Sequence, residues 1–343
     1  MTTQRYAVRH CVNTYRDHHL GGFTAALPHP HEPREAAGSA ALSDVLGALS
    51  EAGWPITVAF ADLHDAVGLH HFAGRAGASC VHGGPFEQDA LEAAAALARA
   101  GRLPYVAAFA ASLTLGVCET DQADALAADL PLRLIGHHAG LTLGYAGRSH
   151  HALEDLAVMR GVPAMTVLAP ADERALASLV RDLQDHPGPV YLRTGGDWPA
   201  PVYPPGVELV AGRAHVHREG REGTIIATGS MVGPALRAAD RLAAQGIEAG
   251  VVDMHTIKPL DAAAVLRAAA RTPAILTVEE HSVHGGLGRA VAGVLATTAL
   301  PHRLTRHGVT DETVPKDPTL DLYRHYGLDA DGIARAAVAA FRA

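Results

Sequence analysis

The chain has 343 residues, 48% of them hydrophobic and 19% charged, the balance of a globular protein with room for two domains of ordinary size. A net charge of −8 argues against a nucleic-acid binder, which would carry a basic face. Three scattered cysteines (Cys11, Cys80 and Cys118) form no CxxC pair and no disulfide framework, as expected in a reducing cytoplasm. Residues 1–10 lack the apolar core of a signal peptide, and no stretch approaches the ~20 apolar residues of a membrane span. The expectation is a soluble cytoplasmic protein with neither nucleic acid nor membrane as partner.

In chain order, residues 1–33 read as an irregular polar arm. Of its histidines, His18, His19, His29 and His31 have no spacing that sets them on one face, so they are read as solvated. From Arg34 the pattern becomes regular. A helix is predicted over 41–49 and a strand over Ile56–Phe60, whose far end is followed by Ala61-Asp62-Leu63. An Ala-rich helix begins at Glu87 and is ended by Gly101, with Leu91, Ala94, Ala95 and Ala98 as its packing face. A first-turn glutamate needs no function of its own, since the helix dipole favours it there. The stretch 103–113 reads as the next strand and turn, and Phe109 at its end has an ordinary reading as a core aromatic.

The most informative stretch runs from 134 to 173. An apolar run over 132–135 reads as a buried strand, followed by a loop carrying His137, His138, His150 and His151 among Gly140, Gly144 and Gly147. Ser149 is read as the N-cap of a short helix with Glu154 and Asp155 in its first turns, stopped by Gly161 and Pro163. A strand is expected over 165–168, and Pro170 and Asp172 open another helix. A polar loop hung between buried strands is where α/β enzymes hold substrate groups. Residues 188–193 read as the last strand of this domain, and 195–206, rich in Pro and Gly, as a linker. From Val207 strand and helix alternate as βαβ units, ending in an amphipathic helix with Ile333, Ala337 and Phe341 on one face. Gly285-Gly286-Leu287-Gly288 has no GxGxxG or Walker spacing, so it reads as a tight turn before a helix and not as a phosphate cradle. The fold class is α/β, in two domains (34–194 and 207–343), each a mostly parallel sheet with helices on both faces.

Several motifs in this order resemble the transketolase family. Gly84, Glu87 and Gln88 match its G-x-x-E-Q helix start, and Pro104, Tyr105 and Phe109 its next strand. Gly140, Leu141, Gly144, Gly147, Ser149 and His150, then Met165, Val167, Pro170, Ala171 and Asp172, match its pyrimidine-binding domain. Lys258-Pro259-Leu260-Asp261 and Glu279-Glu280-His281 are similar to the C-terminal domain of transketolases and of 2-oxo acid dehydrogenase β subunits.

The resemblance implies thiamine diphosphate as cofactor. It makes Glu87 the cofactor activator, through a hydrogen bond to N1′ of the aminopyrimidine, and Phe109 a ring packed on that pyrimidine. It makes His150 a substrate hydroxyl contact and His138 a second candidate for the same pocket, while His64, His70, His71 and His151 are read as structural or solvated. The family's G-D-G motif, which with a downstream Asn holds Mg²⁺ and the diphosphate, is absent. The implied protein is therefore the second subunit of a split transketolase that transfers a two-carbon ketol unit from a ketose or 2-oxo acid. It would work in an α₂β₂ complex with a G-D-G subunit, which supplies the Mg²⁺ ligands.

Departures from the family pattern bear on the substrate. Ala66, Ala146 and Thr194 (with Arg193 one residue earlier) stand where sugar-phosphate transketolases carry serine, aspartate and arginine, and Ser112 or Thr114 replaces a second pocket aromatic. These changes imply that pentose phosphates are poor substrates. Two alternatives stay open: a 2-oxo acid dehydrogenase β-type subunit that delivers an acyl unit to a lipoyl or carrier protein, and a non-catalytic scaffold subunit. Ser149, His150, Glu154, Asp155 and Leu156 favour the transketolase type, and Glu87 argues against the scaffold.

Overall fold

A computed structural model of the chain describes residues 39–61, 70–75, 77–83, 87–116, 130–195 and 200–342. The N-terminal histidines, Cys11, Cys118, His64, Ala66 and Gly84 lie outside these residues.

Helix α1 (Ser39–Glu51) places Leu42, Val45, Leu46 and Leu49 on one stripe, all buried, as helical spacing requires. It leads into β1 (Ile56–Phe60) and, after the single helical turn His70–Ala73, into β2 (Cys80–His82). Then follow α2 (Glu87–Arg99), β3 (Leu103–Phe109), α3 (Ala110–Gly116) and β4 (Arg133–His137). The first half ends with α4 (Asp155–Gly161), β5 (Thr166–Leu168), α5 (Glu173–Asp182) and β6 (Val190–Arg193). The second half contributes β7 (His215–Arg218), β8 (Gly223–Ala227), α6 (Val232–Ala243), β9 (Ala249–Asp253) and β10 (Thr256–Lys258). It closes with α7 (Ala262–Arg271), β11 (Ala274–Ser282), α8 (Leu287–Leu295), β12 (Arg303–Val309), α9 (Thr319–His325) and α10 (Ala330–Arg342).

These strands build a seven-stranded sheet in the order β10-β5-β6-β4-β3-β1-β2 and a five-stranded sheet in the order β12-β11-β8-β9-β7. All neighbours are parallel except β10 on β5 and β7 on β9. Strand alternation in β3 shows why the first sheet needs helices on both faces. Leu103, Tyr105 and Ala107 join one apolar cluster with Leu46 and Leu179, whereas Val106 and Ala108 join another with Leu91 and Leu156. Strand β10 comes from the second half of the chain yet pairs with β5, so the first sheet draws on both halves.

One expectation needs correction. Ser149 is not a helix cap: residues 148–150 are turn, and the helix begins at Asp155 with Glu154 before it. The chain between is held instead by a bridge from Gly140 to Ala152, with Gly140 N–H donating to Ala152 O at 2.9 Å, so the loop folds back on itself before helix can start. Ser149 Oγ meets Nδ1 of His150 at 2.9 Å. Part of the Pro- and Gly-rich segment, at Val202 and Tyr203, is tied to the start of α5. Asp172 caps α5 through Ala175 N–H at 2.7 Å, and its other oxygen accepts Val202 N–H at 2.6 Å and Tyr203 N–H at 2.8 Å. Tyr203 is buried and donates its hydroxyl to Asp253 Oδ2 at 2.6 Å.

Candidate functional site

The parallel strands β1 to β6 all deliver their carboxyl ends to one edge of the first sheet, where open α/β sheets bind ligands. Strand β3 reaches that edge at Phe109, its one residue that is not fully buried, and β4 reaches it at His137, the cross-strand partner of Phe109. The Phe109 ring lies 4.6 Å from His137, 5.4 Å from His138 and 5.6 Å from His150, centroid to centroid. The structure thus brings three of the four expected site residues together around one aromatic ring. His137 was not singled out from the sequence, although two adjacent histidines at the end of a buried strand were a usable signal.

At His138 the backbone turns into the left-handed region, with φ 51°, which few residues other than glycine adopt. Burial, and to a lesser degree the neighbouring His138, push the His137 imidazole well below its usual range and keep it neutral. Nδ1 of His137 and Nδ1 of His138 are 2.7 Å apart.

Glu87 opens α2 on the same edge, directly after the short strand β2. It lies one turn before Leu91, on the stripe formed by Leu91, Ala94 and Ala98 that packs against the sheet, and it is half-buried. Among the described residues its side chain makes no hydrogen bond or ion pair. β1 separates β2 from β3, so at about 4.8 Å per strand the ends of those two strands are roughly 10 Å apart.

The second half of the chain shapes the histidine loop. Gly140 has φ 71° and sits so close to Glu280 that a Cβ would lie 2.5 Å from its carboxyl carbon, which only glycine avoids. Glu280 Oε1 accepts Leu141 N–H at 2.7 Å, and Thr319 Oγ is 2.8 Å from Thr142 O. Asp317 N–H adds a bond to Gly144 O at 3.3 Å. His151 is buried and donates Nε2–H to Gly144 O at 3.1 Å, the structural role expected of it.

Behind the loop lies a buried polar network. Arg193 donates to Asp155 Oδ2 at 2.8 Å and to Glu280 O at 2.7 Å, and Tyr191 donates to the same Asp155 oxygen at 2.9 Å. Burial alone would lower the Arg193 pKa, but the Asp155 and Glu280 charges outweigh it and hold the guanidinium firmly charged. The Arg193 side chain is 3% exposed, with its donors spent on Asp155 and Glu280. Glu279 fills the start of α8: its carboxylate accepts Leu287 N–H at 2.6 Å and Gly288 N–H at 2.8 Å. Burial, offset in part by those amides, pushes Glu279 up to about 7. The Leu287 and Gly288 amides of the GGLG turn are therefore occupied, as a tight turn and not a phosphate cradle requires. Of the remaining departures, Thr114 turns its hydroxyl back to Ala110 O at 2.7 Å, and Thr194 is buried. Among the described residues no group of three or more His, Cys, Asp or Glu side chains could hold a metal, and no helix is long and apolar enough to cross a membrane.

Fold and site together define a two-sheet α/β protein with an aromatic- and histidine-lined site at the carboxyl edge of its first sheet. Residues 34–196 match the transketolase pyrimidine-binding domain and residues 212–333 the transketolase C-terminal domain. One subunit of the apulose-4-phosphate transketolase of Phocaeicola vulgatus is 36% identical over 297 residues, which are 86% of this chain and 95% of that protein. The 6-deoxy-6-sulfo-D-fructose transketolase subunit SqwH of Clostridium sp. is 37% identical over 277 residues, 81% of this chain and 86% of that one. By contrast, 1-deoxy-D-xylulose-5-phosphate synthase 1 of Geobacter sulfurreducens, 34% identical over 308 residues, is matched over only 48% of its length. Among solved structures, a split-gene transketolase described as an inactive beta4 tetramer superposes with a TM-score of 0.75 at 33% identity, over 90% of this chain and 99% of that one. The chain belongs to the transketolase family, whose membership implies thiamine diphosphate as cofactor.

Proposed function

We propose that the chain is the pyrimidine-binding and C-terminal subunit of a split transketolase, which transfers a two-carbon ketol unit together with a second subunit carrying the G-D-G motif. The observation that carries this reading is one of extent: the chain is matched along nearly the whole of proteins named as transketolase subunits, yet along only about half of longer relatives. The division into 34–194 and 207–343, joined by 195–206, and a cytoplasmic location belong to the same proposal, as does an α₂β₂ assembly with Mg²⁺ ligands on the partner.

The chemistry of the residues fits the pyrimidine half of thiamine diphosphate. Glu87 is a half-buried carboxyl with no partner among the described residues, at the edge where ligands bind. It would hold N1′ of the aminopyrimidine, and Phe109, the half-buried end of an otherwise buried strand, would lie against the pyrimidine ring. When bound, the cofactor supplies the nucleophilic carbon and the electron sink of ketol transfer. This chain's own contribution is to orient the cofactor through Glu87 and Phe109 and to meet substrate oxygens through His138 and His150.

The test is reconstitution with the candidate partner subunit, thiamine diphosphate and Mg²⁺, with a ketol donor and an aldehyde acceptor. Ketol transfer is expected. Acyl transfer to a lipoyl carrier in its place would overturn the proposal in favour of the dehydrogenase β-type reading.

A further inference from the structure

Successive side chains of a strand point to opposite faces, so adjacent residues do not ordinarily bond each other. His137 and His138 do, at 2.7 Å between their Nδ1 atoms, because the backbone leaves the strand at His138 with φ 51°. Between two imidazole nitrogens at this distance there is one proton: with none the lone pairs repel, and with two the N–H groups collide. Which ring carries it decides what His138 offers at the far edge of its own ring, since a neutral imidazole has one donor and one acceptor nitrogen.

The surroundings of His137 settle the direction. His137 is 1% exposed, and its Nε2 is buried with no hydrogen-bond partner. Were its proton on Nε2, an N–H would be buried without an acceptor and its desolvation would go uncompensated. With the proton on Nδ1, only a lone pair is left without a donor, the commoner kind of unmet group in protein interiors. Burial also keeps the ring neutral, so the proton is not on both nitrogens.

We propose that His137 is a positioning residue: it donates Nδ1–H to Nδ1 of His138 and thereby fixes His138 as the Nε2–H tautomer, a hydrogen-bond donor for a substrate oxygen. A donor at this place recognises a carbonyl or alkoxide oxygen and disfavours a group that has only N–H or O–H to offer. The functional half of this proposal rests on the reading of His138 as a substrate contact; the tautomer does not.

The two are separated by measuring each. Histidine side-chain ¹⁵N correlation spectra of the full chain report which nitrogen is protonated, with His138 assigned by the signals lost in His138→Gln. The wild type should show His138 protonated on Nε2. His137→Asn, which can keep a donor at the Nδ1 position, should leave that pattern unchanged. His137→Asp, equal in size but offering only an acceptor, should move the His138 proton to Nδ1. In the reconstituted complex His137→Asn should stay close to wild type, whereas His137→Asp should lose about tenfold or more in kcat/KM, the scale of one reversed hydrogen bond. A wild-type His138 protonated on Nδ1, or the same His138 tautomer in both variants, overturns the proposal, and the wild-type spectrum decides even if a variant does not fold. Should the tautomers behave as expected while His138→Gln keeps full activity, the substrate-contact reading of His138 falls and the tautomer assignment stands.

Discussion

At the scale of single residues, the proposed chemistry stands on Glu87, and its role separates cleanly from stability. The helix it opens has Ala and Leu at every buried position from Ala90 to Ala98, so its formation does not depend on residue 87. Glu87→Ala should fold and assemble as the wild type does, while the reconstituted activity falls by about 10²–10⁴-fold, the range of a lost acid–base group. Exchange of the cofactor's C2 proton checks it; a wild-type exchange rate in Glu87→Ala would remove Glu87 from the role. Substrate choice is also a residue-scale matter. Arg193, the nearest arginine to the family's phosphate position, is locked on Asp155 at 2.8 Å and buried, while Ala66 and Thr194 stand where the family carries the serine and arginine that hold phosphate. Losing two charged hydrogen bonds of about 1.5–3 kcal/mol each lowers phosphate affinity by 10²-fold or more. Steady-state kinetics should give a higher kcat/KM for hydroxypyruvate than for xylulose 5-phosphate. The names of two relatives include a phosphorylated and a sulfonated sugar, so the opposite order would return this chain to that pattern.

At the scale of elements, the histidine loop is shaped by contacts from the far half of the chain. Glu280 accepts Leu141 N–H and a hydroxyl from Ser230 on its two oxygens, so Glu280→Gln can accept the first through its amide oxygen and donate its NH₂ to Ser230 Oγ, while Glu280→Ala strands a buried N–H. The alanine variant should lose about 1–3 kcal/mol of stability and raise KM, with the glutamine variant near wild type, as thermal melts and initial rates would show. The fastening of the segment before β7 has a pH signature. Burial, eased by the Tyr203 hydroxyl, raises Asp253 from 3.8 to about 8, so the folded state holds its proton long after the unfolded chain has released it. With more protons bound in the folded state, stability falls as pH rises through that interval. Compared with Asp253→Asn, the wild type should lose stability progressively between pH 3.8 and about 8 and stay lower beyond it; equal pH dependence in melts of the two proteins would contradict this. Much at this scale was legible in the sequence, because buried parallel strands such as Ile56–Phe60 and the Asp172 cap announce themselves by local pattern. The start of α4 was not, because the bridge from Gly140 to Ala152 that delays it joins residues twelve apart in sequence.

At the scale of the whole molecule, the motifs gave the family and the order of the two halves, since both rest on short runs of residues. They could not give the pairing of β10 with β5 or the burial of Arg193 under Glu280, which depend on contacts spanning some ninety residues. The central claim is that this chain holds the pyrimidine end of a cofactor site whose diphosphate end lies on another subunit. Calorimetric titration of thiamine diphosphate with Mg²⁺ tests it most directly, on the isolated chain and again after mixing with the partner. Negligible heat is expected from the chain alone, and saturable, Mg²⁺-dependent binding with one site per pair of subunits in the mixture. Tight, Mg²⁺-dependent binding by the isolated chain would contradict it.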